Sequence, residues 1–208
     1  MNLRTTLMPA LPLFPLKAVL FPGGLLRLKV FEARYLDLVS RCLRDHEPFG
    51  VVCLRQGGEL QVGIEGSKVR FEGVGVLAHL LDVDAEQAGI LQVSCQGGQR
   101  FRSKSPRQRA DGLWFADAEV LVDDGPQTPS AELAPSVAAL SNAIEALSGQ
   151  GQHPFIEPHR LDDAGWVANR WCEILPISLA AKQKLMELDE PALRLQLVDD
   201  FLRGKGVV

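Results

Sequence analysis

The stretch "LKVFEARYLDLVSRCL" (Leu28–Leu43) changes period in its middle. Through Phe31, apolar and polar residues alternate, which is the pattern of a half-buried strand. Beyond Arg34 the apolar residues recur at helical spacing. A strand therefore hands over to a helix, and Glu32, Arg34 and Tyr35 sit at the change. A carboxylate, a guanidinium and a phenol this close together can be a chemical site or a structural joint. They have no adjacent Ser, Cys or His to activate. The residues support a joint: an ion pair or a helix-end interaction, with the tyrosine ring buried and its hydroxyl partnered.

Working outward, "LLRLKV" sets Leu26, Leu28 and Val30 on one face against Arg27 and Lys29 on the other. The helix is expected from Ala33 to about His46. Leu36, Val39 and Leu43 form one face, Tyr35 and Cys42 lie beside it, and Pro48 stops it. "FGVVCL" (Phe49–Leu54) suits a strand buried on both faces. "KVRFEG", "VGVLAHLLDVD", "ILQVSC" and "LWFADAEVLV" continue the strand pattern. Gly57-Gly58, Gly97-Gly98 and Asp111-Gly112 read as the turns between them. Short strands, glycine turns and one early helix predict a small, partly closed β-barrel over residues 1–123.

"DDGPQTPS" (Asp123–Ser130) reads as a linker, and beyond it the period is helical. Leu133, Val137, Leu140, Ile144 and Leu147 share a face, with Ser130 as the expected N-cap and Gly149 just past the end. "AGWVANRWCEIL" repeats the period through Ala164, Val167, Trp171 and Leu175. Ser178 is placed to cap "LAAKQKLMEL", and Pro191 opens "ALRLQLVDDFL". Residues 130–208 thus predict a bundle of about four helices. The fold class is α+β, barrel first and helices second.

Composition removes several functions. A net charge of −4 argues against a general nucleic-acid binder. No apolar run is long enough to span a bilayer, and prolines break the N-terminal apolar residues, so neither a membrane span nor a signal peptide is expected. The four cysteines, Cys42, Cys53, Cys95 and Cys172, form no C-x-x-C pair and sit among apolar neighbours. Reduced core cysteines in a cytoplasmic protein are the expectation. There is no phosphate loop: "GIEGSK" (Gly63–Lys68) is too short between its glycines to wrap phosphates with backbone N–H groups. There is no nucleophile elbow and no H-E-x-x-H. No catalytic residue, metal or cofactor is expected.

Two further constellations carry candidate sites. "HPFIEPH" offers His153, Glu157 and His159, but its prolines prevent a helical metal-ligand spacing. Within it, Phe155 and Ile156 belong to no strand or helix period. They either pin the loop to the helices or offer an apolar docking point. "RFRSKSPRQR" gathers Arg100, Arg102, Lys104, Arg107 and Arg109 at an expected hairpin tip, as solvated surface or as a phosphate-binding patch.

The ordered motifs resemble a known family. "LPLFPL" (Leu11–Leu16), "FPG" (Phe21–Gly23) and Phe31, Glu32, Arg34 and Tyr35 resemble the opening of the Lon protease N-terminal domain, as found in bacterial proteins that carry this domain alone. "VGVLAHLLD" (Val74–Asp82) is similar to its Val-Gly-Thr-x-Ala strand, with Val76 in place of the threonine. "GQRFR" (Gly98–Arg102) is similar to its Gly-x-Arg-Phe turn, and "LPISLAAKQKLMELDEPALRLQLVDDFL" to its C-terminal helices. The resemblance implies a PUA-like pseudo-barrel followed by helices. It also implies recognition of unfolded or flexible polypeptide segments. The ATPase module and the protease domain with its Ser-Lys dyad are not in the sequence. The expected function is non-catalytic polypeptide recognition. RNA or nucleotide binding through the PUA-like barrel is the alternative.

Overall fold

The structure, a computed structural model, describes residues 6–57 and 69–208. Gly58 and the "GIEGSK" stretch lie outside the described residues. The chain divides into two compact units, Met1–Asp123 and Asp124–Val208.

The first unit runs β1 (Leu7–Leu16), β2 (Leu25–Val30), α1 (Ala33–Asp45), β3 (Phe49–Gln56), β4 (Arg70–Phe71), β5 (Val74–Gln87), β6 (Ile90–Gln108) and β7 (Trp114–Val120). Strands β1, β7, β6, β5 and β3 pair in that order, and β3 returns to β1, so the sheet closes on itself. The closing pair is parallel, Leu13 opposite Gly50 through Leu16 opposite Cys53. The other pairs are antiparallel. Strand β2 lies along the first half of β6, from Leu25 opposite Gln96 to Val30 opposite Leu91. Strand β7 lies along the second half, from Phe101 opposite Val120 to Gln108 opposite Trp114. Phe101 is fully buried and packs with Leu11, Leu13, Val52, Leu77, Ala116 and Ala118. Its ring needs the room left by two glycines. A Cβ on Gly50 or Gly75 would lie 2.6 or 2.8 Å from it.

Several expectations change. Leu7–Leu16, to which the sequence reading assigns no element, is a strand despite Pro9, Pro12 and Pro15. It pairs with β7 over Leu7–Leu13 and with β3 over Leu13–Leu16. Among the described residues only Leu13 pairs on both sides. Each half of β1 is thus paired on one side among the described residues, the kind of strand in which proline is tolerated. Gly97-Gly98 is not a turn but mid-strand in β6, and the "GQRFR" stretch continues that strand. The glycines are there for close approach. Gly23 N donates to Gly97 O at 2.7 Å, Gly97 N donates to Gly24 O at 2.8 Å, and a Cβ on Gly97 would fall 2.2 Å from the Phe21 carbonyl oxygen. The turn is at Asp111-Gly112, where Gly112 has φ 84°. "RFRSKSPRQR" is accordingly strand rather than hairpin tip up to Gln108. Helix α1 buries Tyr35, Leu38, Val39 and Cys42, while Leu43 is exposed. The expected face is rotated because the Tyr35 ring stacks flat on Phe14, 3.8 Å between centroids and 7° between planes.

The second unit opens with a 3-10 turn (Ala131–Leu133), then α2 (Ala134–Gly149), α3 (Ala164–Ile174), α4 (Leu179–Glu187) and α5 (Pro191–Gly204). Ser178 caps α4, accepting from Ala181 N at 3.2 Å. Ser130 makes no side-chain cap, and the left-handed residue after α2 is Gly151, φ 72°, not Gly149. Helix α3 is buried all round from Ala164 to Cys172, where a single apolar face was expected. Asp163 caps it through Gly165 N at 3.0 Å. Beside it Arg194 of α5 is buried. It donates to the carbonyls of Leu185 and Leu188 at the end of α4, to Asn169 Oδ1 of α3 at 3.0 Å and to the Asp124 carboxylate at 2.8 Å. These bonds satisfy carbonyls that a helix end leaves open. Ala164 N also donates to Gln127 O at 2.7 Å, so Asp124 and Gln127 of the stretch read as linker are bonded to helices of this unit.

Gly97→Ala should lower stability by about 1–3 kcal/mol, because the added methyl meets a carbonyl oxygen on a bonded backbone. A Cβ at Gly73 meets nothing within 4 Å, so Gly73→Ala should change little. Urea denaturation of both variants checks the contrast.

Candidate functional site

The junction residues come together as a joint. Glu32 is the N-cap of α1, and its carbonyl accepts from Tyr35 N at 2.9 Å and Leu36 N at 3.0 Å. Its carboxylate does not cap the helix but pairs with Arg34 Nη2 at 2.9 Å. Arg34 Nη1 donates to Gly112 O at 2.8 Å, in the turn before β7, and its guanidinium sits 4.6 Å from the Tyr35 ring centroid. One arginine thus ties the helix start to a turn far along the chain, while Tyr35 stacks on Phe14.

The loop pair separates. Phe155 is buried, edge-on to Trp166 with 6.2 Å between centroids. The buried Arg170 guanidinium lies 5.7 Å from the Phe155 ring and 5.6 Å from the Trp166 ring. The Phe155 ring is therefore occupied within its own unit, and Ile156 beside it is half-buried. Arg170 pairs with Glu173 at 2.7 Å, and Lys182 Nζ donates to the Glu173 carbonyl at 2.8 Å. Burial pushes the Glu173 carboxyl up to about 7 against the pull of Arg170 and Lys182.

Three cations of the expected cluster, Lys104, Arg107 and Arg109, face carboxylates. Lys104 pairs with Glu119 at 2.6 Å, Arg107 with Asp117 at 3.5 Å and Arg109 with Asp111 at 3.4 Å. The Lys104 hydrogen bond holds the Glu119 carboxyl below its ordinary range. Arg100 is buried and Arg102 exposed. Among the described residues no three His, Cys, Asp or Glu side chains group as a metal site. All four cysteines are free and buried, and burial pushes the Cys42 thiol up to about 11 and those of Cys95 and Cys172 to about 12. Such thiols are poor nucleophiles. No helix among the described residues is long and apolar enough to cross a membrane.

The sequence reading missed a groove of about 630 Å³ on the barrel. Arg55 and Gln56 at the end of β3, Arg70 and Phe71 of β4, Pro106 of β6 and Trp114 of β7 line it. Phe71 and Trp114 meet edge to face, 5.4 Å apart and 83° between planes, both half-buried against the barrel core. Arg55 is largely exposed and reaches Glu72 at 3.3 Å. Four strands contribute the lining, so no local motif announces it.

A family model described as the ATP-dependent protease La (LON) substrate-binding domain matches residues 10–204. Among solved structures, the Lon N-terminal domain protein from Xanthomonas campestris is 30% identical, with a TM-score of 0.73 over 92% of this chain and 97% of that one. The N-terminal domain of Mycobacterium avium complex Lon protease is 16% identical, with a TM-score of 0.59 over 92% and 96%, and shares the fold. No curated protein matches.

Arg34→Ala should lower stability by roughly 0.5–3 kcal/mol, and Phe155→Ala by about 3 kcal/mol, each read from urea denaturation. Glu173 supplies a pH signature. Its folded pKa lies above the unfolded value, so the folded state holds the extra proton and this group favours folding at low pH. Its contribution is lost as pH rises from the ordinary glutamate range through about 7. The stability of wild type should fall across that window relative to Glu173→Gln, in which the slope disappears.

Proposed function

The chain belongs to the ATP-dependent protease La (Lon) substrate-binding domain family, and on that premise we propose that it is a non-catalytic module that binds unfolded or flexible segments of other polypeptides. The observation that carries the reading is the family match over residues 10–204, which takes in the barrel and all the helices. The chemistry of the described residues agrees with it. The one carboxylate–guanidinium–phenol constellation is spent on fixing a helix, and the thiols are buried and protonated. Four free cysteines suit a reducing compartment, and the cytoplasm is the setting we propose. The RNA-binding alternative is weakened by the cation cluster itself, in which Lys104, Arg107 and Arg109 already face carboxylates.

The test is a binding titration against one protein in two states, native and permanently unfolded by reduction and carboxymethylation. The module should bind the unfolded state and leave the native one alone. The same preparation should hydrolyse neither ATP nor casein. Equal binding to both states, or a turnover abolished by a single substitution in this chain, would replace the reading.

A further inference from the structure

We propose that the barrel groove around Phe71 and Trp114 is where a polypeptide docks, and that the segment it takes carries an aromatic or large apolar side chain flanked by carboxylates. This rests on the polypeptide-binding reading above and adds a place and a chemical class.

Size comes first. At about 630 Å³ the groove lies within the range of sites that hold a ligand of a few side chains. Its floor is the edge-to-face pair Phe71–Trp114, partly covered by the barrel core and otherwise open to the groove. Pro106 and Val69 add apolar wall. An incoming ring or branched apolar side chain would lose water against this floor and present edge or face to the two rings.

Charge then selects the neighbours. Among the described residues the lining includes two guanidinium groups, Arg55, which also reaches Glu72 at 3.3 Å, and Arg70, and no carboxylate. Both arginines are exposed. The whole chain is net negative at −4, so this local positive character runs against the protein's overall field. Such a site does not attract anions from afar. It rewards a carboxylate only once the segment is seated, which makes charge a specificity device here. Tryptophan and arginine around a partly desolvated pocket are also the residue types that dominate binding energy at interfaces.

A nucleic-acid strand fits less well. Base stacking on Trp114 is available, but a phosphate backbone needs a continuing track of cations. The described lining supplies two cations, Arg70 and the Glu72-paired Arg55, which is short of such a track.

The experiment uses fluorescence anisotropy with the full chain and four labelled probes of equal length. These are an Asp/Glu-flanked phenylalanine peptide, a Lys-flanked version, an Asp/Glu-flanked serine version and an oligouridine. Wild type should bind the first at least about tenfold tighter than the others. Arg55→Glu/Arg70→Glu should reverse the preference to the Lys-flanked peptide at unchanged melting temperature, since both side chains are exposed. Trp114→Leu should weaken the first probe to the level of the serine peptide. The same variants are run against the permanently unfolded protein. If wild type binds that protein and the charge-reversed variant binds it equally well, the groove is not the site and the general function stands. If wild type does not bind the unfolded protein at all, the functional reading itself falls. Oligouridine binding tighter than any peptide and lost on charge reversal would make the groove a nucleic-acid site and overturn the proposal, as would no peptide preference in wild type.

Discussion

The barrel depends on how β1 is shared. Strand β1 lies against β7 through its first half and against β3 through its second, and the switch occurs at Leu13. Without the parallel β1–β3 pair the remaining ladder, β1-β7-β6-β5-β3-β4, would be an open sheet with two exposed edges. Closure also brings Leu11 and Leu13 over Gly50, where a Cβ would meet Leu13 at 2.8 Å, so the ring shuts only because that position has no side chain. Phe101 then fills the space between Gly50 and Gly75. A strand full of prolines suits this role, because it needs a ladder on only one side at a time and its prolines discourage further pairing on the open edges.

Much of this was legible in the sequence, for physical reasons. The Leu26, Leu28, Val30 alternation and the Phe49–Leu54 apolar run report burial directly, and both are strands. The change of period after Phe31 marks α1 because the switch from two-residue to helical spacing is abrupt. What the sequence hid is tertiary. Pro9, Pro12 and Pro15 break the apolar run, so the sequence alone assigns no element there, and the sharing of β1 between two neighbours is what accommodates them. Gly97-Gly98 carried the signature of a turn. A glycine required because a backbone approaches within hydrogen-bonding distance looks the same in sequence as one required for a positive φ. The rotation of α1 toward Leu38 follows from the Tyr35–Phe14 stack, a contact with a residue on another strand.

The candidate sites divide along the same line. Glu32, Arg34 and Tyr35 could be assigned to a joint because they are close in sequence and sit at an element boundary. Arg34's bond to Gly112 O could not be foreseen, since the partner belongs to a turn made much later. The cation cluster from Arg100 to Arg109 was visible as charge. Its partners, Asp117 and Glu119, become visible only when β7 folds back along β6. Arg194 is the sharper case: nothing local distinguishes it from a solvated helix arginine, yet it is buried and joins α5 to the end of α4.

The barrel also explains why a groove can be rigid at its floor and adaptable at its rim. Trp114 and Phe71 are anchored on paired strands and packed on the core, so little further freedom is lost when a partner covers them. Arg55 of β3, which reaches Glu72, and Arg70 of β4 lie on the paired strands β3 and β4 and are exposed on long stems, where a small movement re-aims the charge without disturbing the backbone. Under the proposed docking, apolar contact is thereby fixed in place while the charged contact can follow the flanking residue wherever the segment presents it. A module that accepts many different segments, as proposed for this chain, needs this combination. A fully rigid polar rim would reject most sequences, and a fully mobile floor would lose more entropy than the buried apolar area returns.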